Sequence, residues 1–470
     1  MRSSIINAMV KSYHDFIIGG EKDQSFDLSF ARMELSLAHE LEKDYYTESS
    51  ARYAEILREN YNSRNFCHNQ LSEYRNLIAR INSSVKNNLS LKLDPGKAFI
   101  NEQNAKLNKV HDIERLYNSR HNHLLLPRYE KSKIVTCINE ILDYRSSVSK
   151  KGSSFADHRC NQIWGKNSTS IKQDLLSYYD SLLNKMVSLQ RYIPEEIVTM
   201  LQSPALQKHA KKNIFSNIYL YSYSLGELLE VVRDICESYF GLSISIKTHV
   251  DYYELHLSID GKLFTLIVKR IESSSTYTSL SSDEIFPKSK AITYLSSVFF
   301  DNRVSIINAK TFFHEIGHLL NIGLVTYYGK HYHSLFLNKY EICSQLFEQI
   351  GVRYLIESLK GSPVDRDLAN YLMCYDITDE MKQVEFSLID IIIHSKNFTL
   401  DESVCFPYES YTSFSNMFTR VIFFQHLFGG ELEAMYSIYP LNSRLAYKTI
   451  DEGNYAKIFE KYFCGIGLSA

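Results

Sequence analysis

The sequence predicts a mainly helical fold with one small β-sheet placed just ahead of the candidate site. Three observations predict it. Apolar residues recur at spacings of three and four over much of the chain, one stretch near residue 260 alternates instead, and Gly and Pro are sparse in the first half. With 470 residues, 44% of them hydrophobic, the chain can bury a large core and is too long for a single ordinary domain nucleus. Two regions are expected, a helical N-terminal region over 1–212 and a second region over 213–470.

In the first region Leu71, Tyr74, Leu77, Ile78 and Ile81 fall on one helical face, the pattern of a core-facing stripe. Asp94, Pro95 and Gly96 break the helical pattern, and the polar stretch Ser146 to Ser154 reads as a loop. From about 213 the pattern changes. Ser224 and Glu227 form a capping box ahead of Leu225, Leu228, Leu229, Val232, Ile235 and Tyr239, and Gly241 stands where that helix ends. Leu255, Leu257 and Ile259 then alternate with polar residues. Asp260-Gly261 supplies a tight turn, and Leu263 to Val268 is strongly strand-forming, so the pair predicts a β-hairpin. Residues 305–350, and most of 366 onward, return to helical pattern.

Composition excludes some functions. Lys plus Arg total 52 against 54 Asp plus Glu, with the signs interspersed, so nothing favours nucleic acid; the short basic run Lys208 to Lys212 reads as a solvated face. No apolar run approaches the roughly 20 residues a membrane-spanning helix needs. The eight cysteines are scattered without a CxxC pair, which predicts reduced thiols in an intracellular protein. The opening segment has Arg2 and Lys11 and no acid before Asp15, a pattern that favours the mitochondrial matrix over the cytoplasm.

The chemistry is concentrated in His314-Glu315-Ile316-Gly317-His318, an HExxH pattern. On a helix, residues four apart lie one above the other, so two imidazoles can reach one ion, and Glu315 is placed as general base toward a metal-bound water. With 16 histidines, chance supplies about 0.03 such matches in this chain. Catalytic Zn2+ usually takes a third protein ligand and keeps one open position. Glu341, 27 residues after His314, is the candidate; Asn338 and Glu341 equally fit an N-cap and its N3 partner, which would make Glu341 a capping residue instead. His331 and His333 are alternative ligands.

These segments resemble the thimet oligopeptidase and mitochondrial intermediate peptidase family. In that family an HEFGH-type helix is followed by a helix reading roughly DFVExPSQxxE, and the match to HEIGH and then NKYEICSQLFEQ is close. YSLGELLEVVRDICESYFGLSISI and LHLSIDGKLFTLIVKRIES resemble the family's preceding helix and strand pair, in family order, so the resemblance covers about 213–465. It implies a zincin-type, two-lobed helical body with a deep channel, and a metallopeptidase region in which Glu341 is the third Zn2+ ligand. It also implies short unstructured peptides as substrates and a small sheet that pairs with them; Glu348 reads either as a partner of a ligand or as a surface glutamate.

Departures from the family pattern are Lys310 where relatives carry an acid, Asn338 for Asp, and Tyr411-Thr412-Ser413-Phe414 where relatives have a Tyr-rich segment donating hydroxyls to the cleft. Tyr411 alone stays in register, as the expected oxyanion donor, with Tyr408 three residues earlier. The expected function is therefore a zinc metalloendopeptidase. The alternative is a catalytically weak or inactive relative serving as a structural or binding subunit, with partner subunits, in a larger assembly.

Overall fold

The computed structural model describes most of residues 55–77, and residues 128–149, 153–190, 222–250, 252–259, 262–270, 277–280, 291–295, 303–327, 341–358, 363–401, 403–408, 417–423, 426–429, 436–453, 455 and 459–463. The opening segment, Ile78, Ile81, the Asp94 break, the basic run at 208–212, Asp260-Gly261, His331, His333, Asn338 and Tyr411 lie outside the described residues. The fold is mainly helical, with small β-sheet content. The described residues divide into two compact units. One draws on Met1–Tyr61, Asn217–Ala369 and Ile438–Ala470, the other on Asn62–Ser216 and Asn370–Ser437. The segment from 213 onward thus contributes to both.

The second of these units is built on α1 (Arg128–Val148), α2 (Phe155–Trp164) and α3 (Ser168–Gln190). Helix α1 runs through Val148, further than the polar loop predicted from Ser146, because Ile134, Ile138, Ile141 and Leu142 bury a continuous stripe that carries its last turns. Ser154 caps α2 by accepting from the Asp157 N–H, and Gly165 closes it at φ 63°, a left-handed conformation that costs glycine little. Leu71, Tyr74 and Leu77 are buried here, as their spacing predicts. Arg145 is fully buried, which is tolerable because it donates to the carbonyls of Leu427 and Phe428 and faces Nε2 of His394 at 2.7 Å.

The other unit opens with β1 (Ser222–Ser224) and α4 (Leu225–Phe240). Both halves of the Ser224/Glu227 capping box are present, and Gly241 ends α4 at φ 64°. Leu228, Leu229, Val232 and Ile235 are buried on one face. At the helix end the core position is taken by Phe240, which stacks on Phe459, while Tyr239 stays half-buried against Tyr455.

The strands that follow are β2 (Ser243–Thr248), β3 (Tyr252–Ile259), β4 (Lys262–Arg270), β5 (Tyr277–Leu280) and β6 (Ala291–Leu295). The predicted hairpin is β3–β4, with Leu255 opposite Leu266 and Tyr253 opposite Val268; Leu255, Leu257, Leu266 and Val268 are all buried, the one-sided burial that alternation dictates. The hairpin sits inside a larger five-stranded sheet of order β2-β3-β4-β6-β5, antiparallel except for β4–β6. A separate two-stranded ribbon pairs β1 with β7 (Arg303–Ser305).

Strand β7 runs directly into α5 (Ile306–Tyr327), which carries HEIGH and packs beside β6, β4 and β5. Next comes α6 (Ile342–Ser358). The 31-residue α7 (Pro363–Ile393) contributes residues to both units, and α8 (Ile438–Asp451) returns to pack on α6. Among the described residues no helix is long and apolar enough to cross a membrane.

Candidate metal centre

Two helices make the site. Phe312, Phe313, Ile316, Leu319 and Leu320 of α5 are fully buried, so the helix is held on its apolar side and cannot rotate His314 and His318 away from α6. Helix α6 is buried on every side from Ile342 to Gly351. The two approach closely where side chains are missing. A Cβ on Gly317 would lie 2.7 Å from Cα of Ser344 and 2.8 Å from O of Cys343, and one on Gly351 would lie 2.4 Å from the Phe313 ring. The glycine inside HEIGH is therefore what lets α6 come near enough for its first turn to meet the two imidazoles.

That first turn supplies Glu341. Its carbonyl accepts the N–H of Gln345 at 2.9 Å, so it stands at the cap of α6 and is not the third residue of a capping box. Its carboxylate is turned instead toward α5: Oε2 lies 3.0 Å from Nε2 of His318 and 3.3 Å from Nε2 of His314. The hydroxyl of Ser344 donates within 2.7 Å of the same oxygen. The two rings stand nearly perpendicular, with centroids 4.9 Å apart. His314, His318 and Glu341 form a group whose ligand atoms all lie within 4.8 Å of one another and which can hold a metal ion. Glu315 follows His314 on α5 and is half-buried.

A further carboxylate lies behind His314. Glu348, two turns beyond Glu341 on α6, is 4% exposed; its Oε2 is 2.8 Å from Nδ1 of His314, and its Oε1 is 3.2 Å from Nζ of Lys310. An ionised carboxylate only accepts, so Nδ1 of His314 donates its proton to Glu348, which leaves Nε2 as the nitrogen that meets Glu341.

Burial opposes charge at both sites, yet the partners prevail. His314, which desolvation alone would push down, is held well above the ordinary imidazole value by Glu341 and Glu348. Glu341, which burial alone would push up, is held well below the usual carboxylate range by His318 and His314.

Sequence reasoning gave too little weight to several residues. Glu348 reads equally well as a surface glutamate, and Gly317 is an unspecified position of the pattern. Gln345 is 7% exposed, and its Oε1 finds no hydrogen-bond partner among the described residues, although it stands on the helix face that carries Glu341 and Glu348. The signal for Gln345 and Glu348 is the i, i+4, i+7 spacing from Glu341, read as one face of a second helix; Gly317 carries no such signal. Tyr408 is half-buried with its ring edge-on to Phe406 at 5.5 Å. No protein-family model and no curated protein matches the chain.

Proposed function

We propose that the chain is a zinc metalloendopeptidase of the thimet oligopeptidase and mitochondrial intermediate peptidase type, acting on short unstructured peptides. One observation carries the reading: two imidazole nitrogens four residues apart on one helix converge on a single carboxylate oxygen from the next, at 3.0 and 3.3 Å. Ligands about 2.0–2.1 Å from a tetrahedral Zn2+ are separated by about 3.3 Å, so the donor atoms are spaced for that ion, and a His2Glu set leaves one position open. The HEIGH and NKYEICSQLFEQ segments and their order support the family.

In this reading His314, His318 and Glu341 hold the ion, and zinc supplies Lewis acidity that makes water nucleophilic near neutral pH and polarises a scissile carbonyl. A carboxylate oxygen of Glu315 takes the proton of the attacking water and passes it to the leaving nitrogen. Glu348 holds the proton of His314 at Nδ1. Phe312, Phe313, Leu319 and Leu320 keep the helix rigid and exclude water from its buried side. Tyr411, with Tyr408 as the neighbouring hydroxyl, is assigned the hydrogen bond to the developing oxyanion.

The test is hydrolysis of a library of quenched fluorogenic peptides by the full chain. Turnover that disappears with a chelator, returns with zinc and is absent in Glu315→Gln is the expected result. A zinc-loaded parent that cleaves no peptide transfers the assignment to a non-catalytic binding or structural subunit.

A further inference from the structure

Lys310 stands four residues before His314 on α5, so both side chains leave the same face of the helix. Glu348 of α6 bridges them, with Oε1 at 3.2 Å from Nζ of Lys310 and Oε2 at 2.8 Å from Nδ1 of His314. The side chains of Lys310 and Glu348 are 15% and 5% exposed, so this is not the solvated surface pair whose contribution is close to nil. A buried carboxylate needs partners for both oxygens and a compensating charge nearby, and losing one partner of such a pair is felt by whatever the other oxygen holds.

We propose that Lys310 is a positioning residue for the metal centre. Its ammonium fixes the Glu348 carboxylate in the orientation that presents Oε2 to Nδ1 of His314. That contact in turn keeps the Nε2 lone pair aimed at the position shared with His318 and Glu341. An imidazole swings readily about its last torsion, so its aim is set by what its second nitrogen holds. Lys310 also supplies a permanent positive charge on a site where two carboxylates, Glu341 and Glu348, flank one ring. It touches no reacting atom. The inference rests on the metal-centre reading given above.

Two readouts on the full chain test it: zinc affinity by competition with a chromogenic chelator, and the visible absorption of the cobalt-substituted protein, which reports ligand geometry independently of turnover. Lys310→Met is expected to weaken zinc binding about tenfold, the low end for loss of a ligand's outer support, and to alter the cobalt bands. Lys310→Arg should recover most of both. If Lys310 acts through Glu348, the Lys310→Met, Glu348→Gln double variant binds zinc no more weakly than Glu348→Gln alone. Affinity and spectrum unchanged in Lys310→Met, or losses at the two positions that simply add, overturn the proposal. Should Lys310→Met not fold, Lys310→Gln is judged by the same criteria. A parent that binds no zinc overturns the metal-centre reading as well. A parent whose zinc is lost in His318→Ala but unaffected by Lys310→Met overturns this proposal alone.

Discussion

Glu315 and Glu341 carry the same functional group and are given different tasks, one to move a proton and one to hold an ion, and the same substitution separates them. Glu315→Gln is expected to keep its zinc and lose about a hundredfold or more in turnover. Glu341→Gln should lose the zinc itself, because a neutral amide replaces the carboxylate on which His314 and His318 converge. Equal turnover in Glu315→Gln and the parent removes Glu315 from the chemistry.

The charges of the same group also fix how the metal-free protein responds to pH. Against the pull of burial, Glu341 and Glu348 hold His314 well above the ordinary imidazole value of 6.5, so its stabilising contribution is complete below about 6.5 and is lost as pH rises through the higher folded value. Glu341 is depressed from 4.5, and its contribution is present above that value and lost as pH falls through the lower folded one. The Tm of chelator-treated protein should therefore fall from about pH 6.5 upward, while zinc-loaded protein does not follow, since the metal replaces the proton on Nε2. A chelated protein whose Tm rises through that range contradicts the assignment.

The crossing of α5 and α6 is what turns a pattern into a site. Gly317→Ala places a methyl 2.7 Å from the backbone of Ser344, which no side-chain rotation relieves. The expected cost is about 1–3 kcal/mol in a denaturant titration, with zinc content reduced because Glu341 is moved away from the imidazoles. Parent-like stability and zinc content would show that the close approach is not needed.

The limits of reading elements from sequence lie in the same kind of contact. Helix α4 is legible because its signals are local: Ser224, Glu227 and Gly241 lie within or beside the helix they delimit. So is β3–β4, whose partners are neighbours in sequence. Strands β5 and β6 are not, because each is only four or five residues long, and the parallel β4–β6 pairing joins segments some twenty residues apart. The partner of Gly351 is Phe313, on another helix, and no spacing rule connects them. Glu341 shows the same limit in reverse. Its spacing permits a cap or a ligand, and only the proximity of α5 to α6 places its carboxylate against two imidazoles.

At the scale of the whole molecule, the division into compact units does not follow the order of the chain, since each unit takes residues from before and after α5 and α6. Composition could not reveal this, because helical pattern runs through both units. The thiols give a direct check on the packing. Burial pushes Cys160 and Cys374 up to about 12, and Cys236 higher still, whereas Cys405 is exposed. Native alkylation followed by mass spectrometry should label Cys405 well before these three, because thiolate and access are both needed. Early labelling of Cys236 would contradict the core described for α4.

The central claim, that His314, His318 and Glu341 hold a zinc ion, is tested most directly by metal analysis of protein purified without chelator, alongside His318→Ala. About one zinc per chain is expected in the parent and little in the variant. No zinc in the parent, or the same content in both, would contradict it.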